Sequence, residues 1–266
     1  PRLPRPDRAV RGRLAAVPAG PPLDDDVVPA PAAVARLAGE APVRAVWRNE
    51  VGGLTFAIGE PPARYVKWLP AGVDPALADL AAEAARLRWA GPHTPVPEVL
   101  DLGADGDGSW LVTRAIRGTS AVDPRWRAEP ATAVRAIARG LRSMHEELPV
   151  EACPFDWSPA HRLGHLQPAF EHRRDELSTP PPADLLVVCH GDPCAPNTLL
   201  DDAGRWVAHV DLGALGVADR WADLAVATMS LGWNYGEGWE PAFFDAYGVE
   251  PDPERITYHR RLWDST

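Results

Sequence analysis

The sequence predicts an α+β protein of two lobes, in which an antiparallel sheet with one helix comes first and a mostly helical lobe follows. Short apolar runs separated by turn residues occupy the first 115 residues, as in antiparallel strands. After Gly118 the apolar residues recur at helical spacing. A chain of 266 residues is long enough to give each lobe its own core. We therefore predict an N-terminal lobe over residues 1–115 and a C-terminal lobe over residues 116–266.

The elements of the N-terminal lobe are predicted from apolar runs and the residues that interrupt them. Residues 1–30 are rich in Pro, Arg and Asp without periodicity, so we expect an irregular lead-in. Gly52 and Gly53 separate two apolar runs and predict a hairpin turn, whose backbone N–H groups could approach phosphates. The further predicted elements are a short helix at 32–37, strands at 43–50, 54–58 and 64–69, a helix at 80–89, a strand near 95–100, a loop at 103–108 and a strand at 109–116.

Helices dominate the predicted C-terminal lobe. Val134, Ile137, Leu141 and Met144 recur at helical spacing and predict a helix over residues 131–145. The further predicted elements are a helical stretch at 160–176, a break at the prolines 180–182, a strand ending near 189, and a hairpin of 199–200 with 206–208.

Two apolar runs of this lobe each lead into an aspartate. Asp192 follows the first run, Asn197 comes five residues later, and Asp211 follows the second run. Carboxylate and amide oxygens are the ligands that Mg²⁺ prefers. An aspartate that does not bind the metal could orient a hydroxyl for attack on a phosphate, which is most of what phosphoryl transfer requires.

Other interpretations of these aspartates are open. Each aspartate alone is common in a turn after a strand. Together with His190 and His209, they could also bind the metal of a hydrolase. The hydrolase interpretation leaves Lys67 unexplained, because a lysine at the centre of an apolar strand needs a partner for its charge.

The joint pattern H-G-D-x-x-x-x-N from His190, followed about 13 residues later by D-x-G from Asp211, resembles the catalytic and metal-binding loops of the aminoglycoside phosphotransferase family, relatives of the protein kinases. The resemblance extends from about residue 35 to the end. It implies a protein-kinase-like two-lobe fold, ATP or GTP as co-substrate, and Mg²⁺. The implied site residues are Asp192 (catalytic), Asn197 and Asp211 (metal), Lys67, Glu83, Gly52, Gly53, Arg114, Ala115 and Ile116 (nucleotide), and His190, Gly213 and Asp223 (structural support).

Several of these roles carry a structural expectation. In the kinases a strand lysine binds the α- and β-phosphates and is held by a helix glutamate, and Lys67 and Glu83 agree with that pair in type and order. The resemblance further implies that the Ala115 backbone contacts the adenine and that Gly213 lets the chain turn sharply behind the metal ligand. It also implies that Asp223 accepts hydrogen bonds from backbone N–H groups of the catalytic loop.

The acceptor side is the part in which the resemblance is least complete. The sequence of residues 213–220 and 153–156 is most similar to that of the actinobacterial aminoglycoside 3'-phosphotransferase branch. That branch usually has Arg where this chain has Ala214, and it usually ends in an acidic and aromatic segment where this chain offers Asp264. We expect Glu237, Glu240 and Asp264 as acceptor-binding carboxylates.

These observations predict an O-phosphotransferase that moves the γ-phosphate of ATP or GTP to a hydroxyl of an aminoglycoside-type antibiotic and so confers resistance. The alternatives are a kinase of a viomycin- or capreomycin-type peptide antibiotic, a kinase of a sugar or choline-like metabolite, and a non-catalytic nucleotide-binding module. Retention of Asp192 argues against the last of these, because binding alone does not need it.

Composition limits the partners. A net charge of −10 argues against nucleic acid and is compatible with a cationic substrate. We expect no membrane span, because the sequence has no run of about 18 apolar residues. Cys153, Cys189 and Cys194 cannot all pair, which favours reduced thiols and a cytoplasmic location.

Overall fold

The computed structural model of the protein describes residues 28–49, 51–75 and 77–266. The expected irregular lead-in therefore lies outside the described residues, except for 28–30, which have no regular structure. The strands are β1 (Val43–Arg48), β2 (Leu54–Ile58), β3 (Arg64–Pro70), β4 (Val99–Ala104), β5 (Gly108–Arg114), β6 (Thr119–Ser120), β7 (Leu186–Cys189), β8 (Thr198–Leu200), β9 (Trp206–His209) and β10 (Gly216–Asp219). The α-helices are α1 (Ala32–Ala38), α2 (Leu80–Ala90), α3 (Pro124–Ala128), α4 (Pro130–Glu147), α5 (Pro159–Leu163), α6 (Arg174–Leu177), α7 (Trp221–Tyr235), α8 (Glu240–Tyr247) and α9 (Pro253–Ser265).

The first five strands form one antiparallel sheet in the order β1-β2-β3-β5-β4. Strand β3 is central, and Lys67 on it pairs with Thr55 of β2 and Leu111 of β5. Helix α2 packs against β4 and β5. Asp79 caps its N-terminus, because the side chain accepts a hydrogen bond from the Ala82 N–H at 2.9 Å. The α+β fold with an N-terminal antiparallel sheet is confirmed.

The second half is mostly helical, with α7 packed on α9 and α4 packed on α8. Its core contains the buried side chains of Trp126, Ile137, Leu141, Trp221 and Phe243. Two small antiparallel sheets, β7 with β10 and β6-β8-β9, hold the loops that follow β7 and β9. A separate buried cluster joins the two halves behind these loops; its members include Leu69, Leu80, Leu87, Leu111, Met144, Val188 and Leu212.

Two sequence predictions of secondary structure are wrong. The helix predicted over residues 160–176 is broken into α5, a 3-10 helix (Pro168–Arg173) and α6. Gly164 follows α5 directly, and Pro168 cannot donate a backbone hydrogen bond, so one continuous helix is unfavourable. The loop predicted at 103–108 is shorter, because β4 continues to Ala104 and β5 begins at Gly108.

No helix among the described residues is both long enough and apolar enough to cross a membrane. All three cysteines are free.

Candidate active site

Lys67 of β3 forms ion pairs with two carboxylates. Its Nζ atom lies 2.7 Å from Oε1 of Glu83 on α2 and 2.6 Å from Oδ1 of Asp211, which follows β9. Burial alone would lower the pKa of Lys67, but the two carboxylates raise it above its ordinary value. Burial raises the pKa of Glu83, although Lys67 opposes this shift. One ammonium therefore connects the sheet, the helix and a loop of the second half.

Asp192 lies in the loop after β7 and is almost completely buried, yet it lines the cleft between the halves. Its Oδ1 atom has no hydrogen-bond partner within the described part of the chain. The Asn197 side-chain amide donates to the Asp192 carbonyl oxygen at 2.9 Å. Burial, supported by the charges of Asp211 and Asp223, raises the pKa of Asp192 to about 7. A carboxylate of this kind is suited to accept a proton from a hydroxyl.

Buried hydrogen bonds hold this loop in place. Asp223 on α7 is fully buried and accepts the backbone N–H groups of His190 at 2.6 Å and Gly191 at 2.9 Å. His145 Nε2 is hydrogen-bonded to the same carboxylate at 2.9 Å. Burial alone would raise the pKa of Asp223, but the hydrogen bond and charge of His145 lower it. The carboxylate therefore fixes the backbone immediately before Asp192.

His190 connects the two aspartate loops. Its Nε2 atom lies 3.0 Å from the Val210 carbonyl oxygen, and its Nδ1 atom lies 3.3 Å from the Asp192 backbone nitrogen. This pattern corresponds to a neutral ring that donates from Nε2 and accepts at Nδ1. Burial lowers the pKa of His190, which also favours the neutral form. Its contacts are structural, since both ring nitrogens are used within the protein.

The turn behind the second aspartate differs from the expectation for Gly213. Asp211 itself takes the left-handed conformation, with φ 65°, and Gly213 does not have a positive φ. Aspartate tolerates this region better than most residues. The sharp turn is therefore made at Asp211. Glycine is required instead at Gly191, where φ is 82° and a Cβ would lie 2.2 Å from the Ala214 carbonyl oxygen.

The glycine turn between β1 and β2 is closed by Asn49. The side-chain oxygen of Asn49 accepts a hydrogen bond from the Gly53 N–H. The backbone carbonyl oxygen of Asn49 accepts one from the Gly52 N–H at 3.2 Å. A Cβ on Gly53 would lie 2.5 Å from the Leu69 side chain. Both glycine N–H groups are thus used within the turn in this conformation. These N–H groups can donate to phosphates, as expected from the sequence, only if the turn changes its conformation.

The segment predicted to contact the adenine is partly used by the sheet. The N–H of Arg114 donates to the Glu98 carbonyl oxygen at 2.8 Å, and the N–H of Ala115 donates to the Ala63 carbonyl oxygen at 3.0 Å. Of the backbone groups predicted to contact the adenine, the Ala115 carbonyl and the backbone of Ile116 are therefore the ones that the sheet does not use.

Comparison with known proteins agrees with this geometry. A profile described as "Phosphotransferase enzyme family" matches residues 48–259. The chain belongs to this family. It is 36% identical over 228 residues to the aminoglycoside 3'-phosphotransferase of Streptomyces fradiae, covering 76% of this chain and 85% of that protein. It is also 36% identical over 259 residues to the streptomycin 3''-kinase of Streptomyces griseus, covering 82% and 90%. The structure of the aminoglycoside phosphotransferase APH(3'')-Id from Streptomyces rimosus with ADP and streptomycin is similar at a TM-score of 0.64 and 28% identity, over 82% of this chain and 94% of that one.

The donor set of this phosphotransferase fits a magnesium ion. The Asp211 carboxylate and the Asn197 amide supply hard oxygen atoms on the two loops that follow β7 and β9. Asp211 lines the cleft together with Asp192, whose buried Oδ1 atom has no hydrogen-bond partner among the described residues. A different group, His145 with Cys189 and Asp223, also has ligand atoms close together. That group is used for loop support, because the Asp223 oxygens already accept hydrogen bonds.

The cleft is also lined by residues that were not predicted from the sequence. Besides the two aspartates, it is lined by the side chains of Arg86, Asp156, Trp157, His161, Arg162, His165, Ala214 and Trp263. The residues expected there, Glu237, Glu240 and Asp264, are not part of this lining. Glu240 instead pairs with Arg260 at 2.7 Å. The acceptor roles of these three carboxylates stay a prediction that the geometry does not favour.

A sequence signal for one missed residue was present. Asp156 is the last residue of the segment 153–156, whose sequence resembles that of the antibiotic phosphotransferases. It is exposed at the cleft, whereas Trp157 beside it is buried. Arg86 carries no comparable signal, whereas Trp263 lies beside Asp264 in the C-terminal segment that was already compared with the family.

Proposed function

We propose that the protein transfers the γ-phosphate of ATP or GTP to a hydroxyl group of an aminoglycoside antibiotic and thereby confers resistance. The observation that carries this proposal is the convergence of the Lys67–Glu83–Asp211 cluster with Asp192 on one cleft. The first group suits nucleotide phosphates, and the second suits the nucleophile. A binding module would not need a buried carboxylate aimed at the cleft.

In the proposed mechanism Asp192 orients the acceptor hydroxyl and takes its proton. The acceptor oxygen forms a bond to the γ-phosphorus while the bond from that phosphorus to the β–γ bridging oxygen breaks, and its electron pair leaves with the nucleoside diphosphate. Positioning supplies most of the acceleration, since the transition state is loose. The raised pKa of Asp192, about 7, favours late proton acceptance at neutral pH.

Lys67 binds the α- and β-phosphates in this proposal, and Glu83 keeps the ammonium oriented. Lys67 then exchanges part of its contact with Asp211, now 2.6 Å, for the phosphates. Asn197 and Asp211 would hold Mg²⁺, which supplies charge neutralisation of the phosphates when bound. His190 and Asp223 fix the loop so that Asp192 keeps its place.

The aminoglycoside class is supported by relatives named for 3' and 3'' positions at the same 36% identity. The proposal therefore covers the antibiotic class, and experiment has to determine which hydroxyl is modified. A protein of net charge −10 attracts a polycation. We place the enzyme in the cytoplasm, which agrees with three free cysteines and the use of nucleotide.

The test is a resistance panel with a matched variant. Expression in a sensitive host should raise tolerance to at least one aminoglycoside, and not to viomycin, while Asp192→Asn should abolish the effect. In vitro this isosteric variant should lose about 10²- to 10⁴-fold in turnover and keep nucleotide affinity. Phosphorylation restricted to peptide antibiotics, or to neutral sugars or choline, would contradict the acceptor class. Near-normal turnover of Asp192→Asn would contradict the mechanism.

A further inference from the structure

Arg86 on α2 joins three segments of the protein. Its Nε atom donates to the Leu215 carbonyl oxygen at 2.9 Å, and the centre of its guanidinium lies 4.7 Å from the centroid of the Phe155 ring. A terminal nitrogen also donates to the Ala82 carbonyl oxygen of its own helix at 3.2 Å. These contacts are made to carbonyl oxygens and to an aromatic face, so the guanidinium acts as a planar connector between backbone and ring.

Each of the three segments belongs to a different part of the site. Glu83, the partner of Lys67, lies one helical turn before Arg86 on α2. Leu215 closely follows the metal-loop residues Asp211 and Gly213. Phe155 directly precedes Asp156 and Trp157, which line the acceptor side of the cleft. Arg86 therefore lies where the nucleotide side and the acceptor side meet.

The loop that carries Phe155 has little regular structure, and it is held from two sides. Strand β10 holds it by the Val217 N–H, which donates to the Phe155 carbonyl oxygen at 2.9 Å, and by the Trp157 N–H, which donates to the Val217 carbonyl oxygen at 3.0 Å. Helix α2 holds it by Arg86 and by Trp89, whose ring packs edge-on against Phe155 at 6.0 Å. The loop therefore contacts both β10 and α2.

We propose that Arg86 is a positioning residue that couples acceptor binding at residues 153–157 to the hold of Lys67 and Glu83 on the nucleotide. The proposal rests on the proposed phosphotransferase activity. An acceptor that presses on Asp156 and Trp157 moves Phe155, and the stacked guanidinium moves α2 as a rigid body, with Glu83 on it. Lysine cannot replace this arginine, because an ammonium lacks the planar fork that contacts a carbonyl and a ring together.

The experiment measures this coupling directly in the full-length protein. The affinity for ADP with Mg²⁺ is measured with and without a saturating aminoglycoside that the wild type phosphorylates. We expect the acceptor to tighten ADP binding by about fivefold or more in the wild type, a usual size for coupled sites. In Arg86→Gln and Arg86→Lys the ratio of ADP affinities with and without acceptor should fall below about twofold. Arg88→Gln, an exposed arginine on the same helix, is the matched control and should behave as the wild type.

A second pair of variants separates coupling from damage to the fold. Phe155→Leu should lose the same coupling, and the double variant Arg86→Gln/Phe155→Leu should lose no more than either single one. Full coupling in Arg86→Gln, or equal weakening of ADP with and without acceptor, overturns the proposal. A wild type that phosphorylates the acceptor but binds ADP equally in both conditions overturns the role of Arg86 alone. A wild type that phosphorylates no aminoglycoside contradicts the proposed function, and the coupling falls with it.

Discussion

The Nζ atom of Lys67 lies as close to Oδ1 of Asp211, at 2.6 Å, as to its partner Glu83, at 2.7 Å. The ammonium therefore balances two carboxylates from opposite sides of the cleft. Breaking a buried ion pair by removing one partner is strongly destabilising, because the other charge stays without compensation. Lys67 thus affects both the stability of the protein and its chemistry.

We expect Lys67→Ala to weaken nucleotide binding more than tenfold and to lower the free energy of unfolding by about 3 kcal/mol, since two carboxylates lose their counter-charge. Urea unfolding and nucleotide titration measure the two effects. Lys67→Arg keeps the charge and should retain most of the stability, with lower turnover because the guanidinium cannot occupy the position of the ammonium. An alanine variant of wild-type stability would contradict the geometry.

Gly191 and Gly236 form a matched pair for testing the catalytic loop. Both have a left-handed φ, 82° and 86°, but a Cβ at Gly191 would meet the Ala214 carbonyl oxygen at 2.2 Å, whereas nothing lies within 4 Å at Gly236. We expect Gly236→Ala to cost about 1 kcal/mol of stability through backbone strain alone. Gly191→Ala should cost several times more and abolish turnover, because relieving the contact with the Ala214 carbonyl oxygen displaces the backbone next to Asp192. Thermal unfolding measures the loss of stability and an activity assay measures turnover. Equal effects of the two substitutions would contradict this account.

Asp156 is the carboxylate that we expect to contact a cationic acceptor. Asp156→Asn should raise the acceptor KM about fivefold, as expected for an exposed ion pair worth about 1 kcal/mol, and leave the nucleotide KM unchanged. Glu237→Gln, an exposed carboxylate outside the cleft lining, is the control and should leave both constants unchanged. An effect of Glu237→Gln larger than that of Asp156→Asn would restore the original sequence prediction.

His259 on α9 predicts a pH dependence of stability. Burial lowers the pKa of His259 to about 4. The unfolded chain, with a histidine pKa of about 6.5, binds a proton between these values that the folded protein does not bind. Stability should therefore fall as the pH falls from about 6.5 toward 4, and by pH 5 this histidine accounts for about 2 kcal/mol. His259→Gln should remove that share of the loss in urea unfolding at pH 7 and pH 5, and an unchanged pH dependence would refute the assignment.

The strands, and the need of Lys67 for a partner, could be predicted because their signals are local, whereas Glu83 as that partner came from the resemblance to the kinases. A strand shows its period within six residues, and a lysine among apolar residues requires a partner. The catalytic loop was predictable for a different reason, since its residues match the spaced motif from His190 to Asp211 that resembles the phosphotransferase family. The break in the helix predicted over residues 160–176 was not foreseen, because the prediction used apolar spacing and gave no weight to Gly164 and Pro168.

The residues that line the cleft besides the two aspartates could not be predicted in the same way. Arg86, the segment of Asp156 and His161, and Trp263 are distant in sequence and meet only through long-range packing. The use of the Gly52 and Gly53 N–H groups by Asn49 was equally hidden, because an asparagine beside a glycine turn has many local partners available.

The broken region between α4 and β7 has an evolutionary consequence. Asp156, His161 and His165 lie there on a loop and one turn of helix, exposed and outside the main helical core. Asp192, the proposed catalytic residue, lies on a loop whose backbone is tied by buried hydrogen bonds to Asp223 of α7. We therefore expect substitutions that change the acceptor to accumulate in the first region at little cost in stability, while the loop of Asp192 tolerates few. Selection by changing antibiotics would then act mainly on this exposed surface.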